Sequence, residues 1–224
     1  MRISMPKPLH GWRAFLGEVG IIVLGVLLAL AAGQIVEEWQ WHRKVGAIRN
    51  SLTNELANDR ARWEWDVGST RCAIGQIDTL NRWIIADKPT ALLPDTSAID
   101  ARAMFFWMHT ANWGLASSSD ALDHFPVDEQ LSYATLYDGI AHRQVEMEKI
   151  TDLMAQIDTL LPFANDRENR RTLQLTLAGL KTKLFVLTTD AGYMRRRFDA
   201  LGIKPDQSDF AADIATAGCR PTPP

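Results

Sequence analysis

Hydrophobic and polar positions recur with helical spacing over nearly the whole chain, and one run departs from that pattern. Val19 to Val36, VGIIVLGVLLALAAGQIV, is eighteen residues without a charge. Such a run is apolar on every side of a helix, which a helix on the surface of a soluble domain is not. Its length suits the hydrocarbon core of a bilayer, which takes about 20 apolar residues to cross. Trp12 and Trp39 flank it. At a rise of about 1.5 Å per residue they would stand roughly 40 Å apart, the separation of the two headgroup regions where indole rings concentrate. Trp41 adds to the second belt. The pattern therefore predicts a transmembrane anchor helix over 15–37, with Trp12, Trp39 and Trp41 as interfacial anchors.

Past the run, Val45, Ile48, Leu52, Leu56 and Trp63 keep a three-and-four spacing as far as Gly68, so the anchor helix is expected to continue beyond the interface. A second helix is expected from about Thr70 to Ala86, with Ile74, Ile77, Leu80 and Ile84 on one face, followed by a loop over 88–96, KPTALLPDT. Ser97 with Asp100 reads as the cap of an aromatic-rich helix through Phe105, Phe106 and Trp107. Ser117, Ser118, Ser119 and Asp120 read as a further cap, for a short helix ending near His124. Pro126, Asp128 and Glu129 suit the first turn of a long helix to about Leu161, with Pro162 just past its end. Asn165 with Glu168 resembles a capping box. It opens a heptad seam of Leu173, Leu177, Leu180, Leu184, Leu187, Ala191, Met194 and Phe198, closed by Gly202 and Pro205. Neighbouring helices carry matching apolar faces, which favours packing inside one bundle over a coiled coil between chains.

No alternating strand run and no Asn-Gly or Asp-Gly hairpin signal interrupts this reading. The expected fold is all-α: an N-terminal transmembrane helix continuing into an antiparallel helical bundle. Its parts are a short basic cytoplasmic tail over 1–14, the anchor over 15–37, the bundle over 38–202 and a Pro-containing tail over 203–224.

Charge and cysteine content refine the placement. A formal net charge of -3 leaves no strongly basic face for nucleic acid. Arg2, Lys7 and Arg13 before the run nearly balance Arg43, Lys44 and Arg49 after it. Arg13 lies close to the span, Glu37 and Glu38 follow it directly, and a long domain translocates largely regardless of its charge. The expected topology is a single pass through the inner (cytoplasmic) membrane, N-terminus cytoplasmic and C-terminal domain periplasmic. Ala29-Leu30-Ala31 offers a signal-peptidase pattern, but Glu18 in the preceding region and five further residues of the apolar run favour an uncleaved anchor. Cys72 and Cys219 are too few and too far apart for a zinc or iron–sulfur site. A disulfide between them in an oxidising compartment and two free thiols both stay open.

The stretch Gly17-Glu18-Val19 through Leu30, GEVGIIVLGVLLAL, followed by Glu37-Glu38 and Arg43-Lys44, resembles the anchor of a group of uncharacterised bacterial single-pass membrane proteins. Trp113 to Leu122 followed by the Tyr133 to Tyr137 helix is similar to that group's mid-domain pattern. The group usually carries Trp-Asn-Glu after the span, whereas this chain reads Ile35-Val36-Glu37-Glu38-Trp39, which displaces the interfacial tryptophan. The resemblance implies a short basic tail, one anchor and a helical extracytoplasmic domain, and brings no activity with it.

Candidate chemistry is sparse. Gly25, Ala29 and Gly33 form a small-residue ladder of the kind that lets two membrane helices approach, with Glu18 seven residues before Gly25 on the same face. An ordinary membrane span with Glu18 in the wet interface explains the same residues. Among His10, His42, His109, His124 and His142 there is no HExxH pair, and the chain has no phosphate loop or nucleophile elbow. Asp120, Asp123 and His124, with Asp128 or Glu129, suggest either a divalent-ion site or a solvated capping turn, the second being simpler. Arg195, Arg196 and Arg197 fit a polyanion contact or the ordinary enrichment of bases at a helix C-terminus. Phe105, Phe106, Trp107 and Trp113 fit a bundle core better than a ligand pocket. No enzyme, cofactor or metal is expected. The reading is a membrane-anchored interaction or scaffold module whose partners are the lipid bilayer and a protein or second copy. The alternative is an extracytoplasmic sensor or ligand-binding domain that signals through a separate subunit.

Overall fold

Apolar positions at helical spacing do give helices over most of the described residues. The computed structural model describes residues 12–86, 94, 96, 99 and 107–208. The helices are α1 (Trp12–Ile85), α2 (Ala111–Ser117), α3 (Val127–Leu160), α4 (Arg167–Thr189) and α5 (Ala191–Ala200), with 3-10 turns at Leu122–His124 and Leu161–Phe163. Among the described residues there is no strand, and the fold is all-α. The chain forms two compact units, residues 1–47 and 48–224, and α1 contributes to both.

The expected break of the first helix near Gly68 does not occur: α1 runs unbroken for 74 residues. Glycine in a helix interior costs only about 0.5–1 kcal/mol relative to alanine, and burial on both sides outweighs it. Trp63, Val67, Ala73, Ile77, Leu80 and Ile84 are all buried. The hydroxyls of Ser69 and Thr70, buried as well, donate to carbonyls one turn back at 3.1 and 2.7 Å, so they are satisfied without opening the helix.

The core of the second unit joins three helices. Ala73, Ile77, Leu80 and Ile84 of α1 cluster with Ile150, Met154 and Ile157 of α3 and with Leu173, Leu177, Leu180, Leu184 and Leu187 of α4. The leucine seam is thus consumed inside one chain. Its register continues through Met194 and Phe198, both buried, although the helix stops between α4 and α5. At that point the hydroxyls of Thr188 and Thr189 donate to the carbonyls of Phe185 and Val186, both at 2.7 Å, and compete with continuation of the ladder.

Three local expectations are corrected. The cap of α4 is Asp166, whose carboxylate accepts from the Asn169 N–H at 3.1 Å, one residue beyond the expected Asn165. Ser117, Ser118 and Ser119 do not cap a following α-helix; their hydroxyls donate back to Gly114, Leu115 and Ala116 and finish α2, and only a 3-10 turn follows. Trp107 is exposed and outside any helix. The Ser97 cap and the segment through Phe105 and Phe106 lie outside the described residues, as does most of the 88–96 loop.

The start of α3 and the end of α5 follow the sequence closely. Pro126 precedes α3 with Asp128 and Glu129 in its first turn. Gly202 ends α5 at φ 67°, with Gly202 N–H bonded to the Asp199 carbonyl at 3.0 Å and Ile203 N–H to the Phe198 carbonyl at 3.1 Å. Buried Ile203 and Phe198 complete this Schellman closure. Gly202→Ala forces a side chain into the left-handed region and is expected to lower stability by about 1–2 kcal/mol. Gly202→Asn should lose less, because asparagine tolerates that region, and a urea titration of the three proteins checks the order.

Candidate functional site

In the first unit, the apolar segment has no protein cover. No residue of its most hydropathic eighteen-residue window is buried, and the mean hydropathy there is 2.6, so this one helix is long and apolar enough to cross a membrane. Gly25 and Gly33 meet no neighbour: a Cβ added at either would have nothing within 4 Å. Glu18 and Ala29 are exposed on the same segment. Trp12 stacks against Phe15 with ring centroids 6.0 Å apart. The Arg43 guanidinium lies 4.8 Å above the Trp39 ring, and the Lys44 ammonium 4.6 Å above Trp41. Basic heads above indole rings suit a polar–apolar boundary.

The second unit holds a row of buried charges that the apolar periodicity did not single out. Glu55, Asp59, Arg62 and Asp66 stand at spacings of four, three and four along α1, all nearly or fully buried, beside the apolar stripe of Leu52, Leu56 and Trp63. Each has a specific task. The Glu55 carboxylate accepts from the Tyr137 hydroxyl at 2.7 Å and from the Asn112 N–H at 3.0 Å. It thereby supplies the N-terminal cap that Thr110 does not give to α2. Both Asp59 oxygens accept from the His109 N–H, at 2.9 and 3.1 Å. Arg62 donates to the Trp107 carbonyl at 3.1 Å and touches the His109 ring. Asp66 pairs with Arg143 of α3 at 3.2 Å. These side chains tie the 107–112 segment and α3 to α1, with Gln144 of α3 adding a 2.7 Å bond to the Met108 carbonyl.

Burial pushes the Asp59 carboxyl up to about 7; Glu55 adds to the rise, and the His109 N–H and Arg62 oppose it. The folded-state value lies above the ordinary one, so the contribution of Asp59 to stability is full at low pH and is lost as pH rises through about 7. The expected result is a loss of stability on the order of 2–4 kcal/mol from this group between about pH 4 and 8. Asp59→Asn should flatten that slope in denaturant titrations across the range, and a slope unchanged by the substitution would refute the assignment.

A cavity of about 460 Å³ opens between α1, α3, α4 and α5. Trp63, Leu187 and Met194 give it an apolar wall; His142, Arg143, Glu146, Lys183, Asp190 and Tyr193 give it a polar one. Glu146 bonds Lys149 at 2.6 Å and Lys183 at 2.7 Å, and the two ammoniums pull its carboxyl down to about 2. Gly139 lies close to Met194: a Cβ on it would stand 2.8 Å from the Met194 sulfur, so a larger residue there displaces the end of that flexible side chain.

The remaining sequence candidates stay apart. Asp120 lies in a turn and His124 in a 3-10 turn, so they do not share the face of an α-helix. Among the described residues no three His, Cys, Asp or Glu side chains come together as metal ligands. The Arg197 guanidinium packs 5.0 Å from the Tyr193 ring, while Arg195 and Arg196 are exposed. Trp113 stacks on Tyr137 at 5.0 Å, nearly parallel. Cys72 is disulfide-bonded, and Cys219, with which the sequence left a pairing open, lies outside the described residues. No family model, characterised protein or solved structure matches the chain, so the likeness to the single-pass group rests on the anchor and mid-domain residues alone.

Proposed function

We propose that this is a single-pass membrane protein whose helical domain serves, on the periplasmic side of the inner membrane, as an interaction or scaffold module. The carrying observation is the uncovered segment within Phe15 to Val36, an apolar helix surface with no described residue packed on it and long enough to cross a bilayer. The bonded state of Cys72 supports an oxidising compartment for the domain, and with it an N-terminus on the cytoplasmic side. The resemblance of the anchor to that of bacterial single-pass proteins agrees with this placement. The module itself presents exposed Leu115, Val127, Leu131 and Leu175 around a bundle whose own core is filled.

The test is extraction of the full-length chain from membranes in mild detergent, with the anchor alone as control, and identification of co-purifying proteins by mass spectrometry. A stoichiometric protein held by the full chain and lost from the anchor alone is the expected result. Recovery of the chain without any protein partner, including itself, would overturn the interaction reading. The cavity favours the second reading, a ligand-binding domain that signals through a separate subunit.

A further inference from the structure

The cavity walls are unequal in their hydrogen-bonding capacity. The Arg143 side chain, 7% exposed, gives one donor to Asp66 and keeps its buried Nε without an acceptor. A protein rarely leaves such a donor unmatched. Lys183 gives a hydrogen bond to Glu146, and its ammonium has three donors to offer. His142 and the Tyr193 hydroxyl add further donors along the same wall. On the acceptor side, Glu146 is already held by two ammoniums, and only Asp190, exposed at the break between α4 and α5, stands outside a pair. Trp63, Leu187 and Met194, all buried, line the same cavity with apolar side chains. The volume falls in the range of small-molecule sites, about 300–1,000 Å³.

We infer that this cavity binds a small organic acid with an aromatic or branched apolar body, the carboxylate held by Lys183 and Arg143 and the body laid against Trp63, Leu187 and Met194. Arginine and lysine together suit a carboxylate because each supplies a charge-assisted donor, and the apolar wall excludes the water that would compete for it. The site belongs to the helical domain alone and stands whether or not that domain also holds a protein partner.

The experiment uses the full chain in lipid nanodiscs and follows 4-fluorobenzoate by fluorine NMR, with 4-fluorobenzyl alcohol and 4-fluorobenzylamine as neutral and cationic counterparts. A probe of this size in a site that fits it binds with a Kd on the order of 10 mM or tighter. The expected result is saturable binding of the acid, at least about tenfold tighter than either counterpart. Lys183→Gln should weaken it by about tenfold while leaving the core intact, since Lys183 is half-buried at the cavity edge. Gly139→Leu, which drives Met194 from its place in the wall, should abolish it. Both variants are read alongside their unfolding midpoints to show that the bundle persists. Absence of saturable binding, equal binding of alcohol or amine, or acid binding indifferent to both substitutions would each overturn the site.

Discussion

Arg143→Met lowers the stability of the helical domain by about 3–5 kcal/mol, the loss expected when a buried ion pair is left with one member. The partner, Asp66, is fully buried and lies 3.2 Å from the guanidinium, so the substitution takes the opposite charge away from a carboxylate in the bundle interior. Neutralising Asp66 at the same time should recover much of the loss: the double variant Asp66→Asn with Arg143→Met is expected to lie closer to wild type than Arg143→Met alone. Guanidinium titrations of the four proteins form the double-mutant cycle. A single-variant loss below about 1 kcal/mol would mean that the pair is not sequestered as the geometry indicates.

Arginine at both Leu24 and Leu27 should remove the chain from the membrane. The run contains eleven Val, Ile and Leu side chains: Val19, Ile21, Ile22, Val23, Leu24, Val26, Leu27, Leu28, Leu30, Ile35 and Val36. At about 0.3–0.6 kcal/mol each, they favour insertion by roughly 3–7 kcal/mol. Each arginine near the centre opposes insertion by about 2.5–3.5 kcal/mol and also removes a leucine, so two together cancel the whole gain. The wild-type chain should stay in the pellet after alkaline carbonate washing of membranes, and the double variant should pass into the supernatant. Retention of both would show that something besides this segment holds the protein at the membrane.

Much of the architecture is legible in the chain because burial follows the simple three-and-four spacing. Leu173 to Leu187 form a wall of the core, and Pro126 and Gly202 stand where helices begin and end. The misplaced boundaries were at short polar residues. Ser117 to Ser119, Asp166 and Thr188 each can serve as cap, terminator or back-bonded helix residue, and only the position of the carbonyls decides between them. Gly68 misled for the opposite reason, because a glycine that looks like a stop is carried through by packing on both sides.

The buried charges were the least visible feature. Glu55, Asp59, Arg62 and Asp66 resemble a solvated helix face when α1 is read alone, and their partners lie 45 to 82 residues away in sequence. Their four-three-four spacing beside an apolar stripe of the same period is the one signal that could have marked them. The cavity likewise draws on α1, α3, α4 and α5, and no local motif encodes it.

The central claim is that the uncovered segment within Phe15 to Val36 anchors the chain with its helical domain on the oxidising side. Protease treatment of intact and lysed spheroplasts of a bacterial host making the full-length protein tests this most directly. The account predicts that the helical domain is cut in intact spheroplasts, while a cytoplasmic marker survives until lysis. A domain that stays protected until the cells are opened would contradict it.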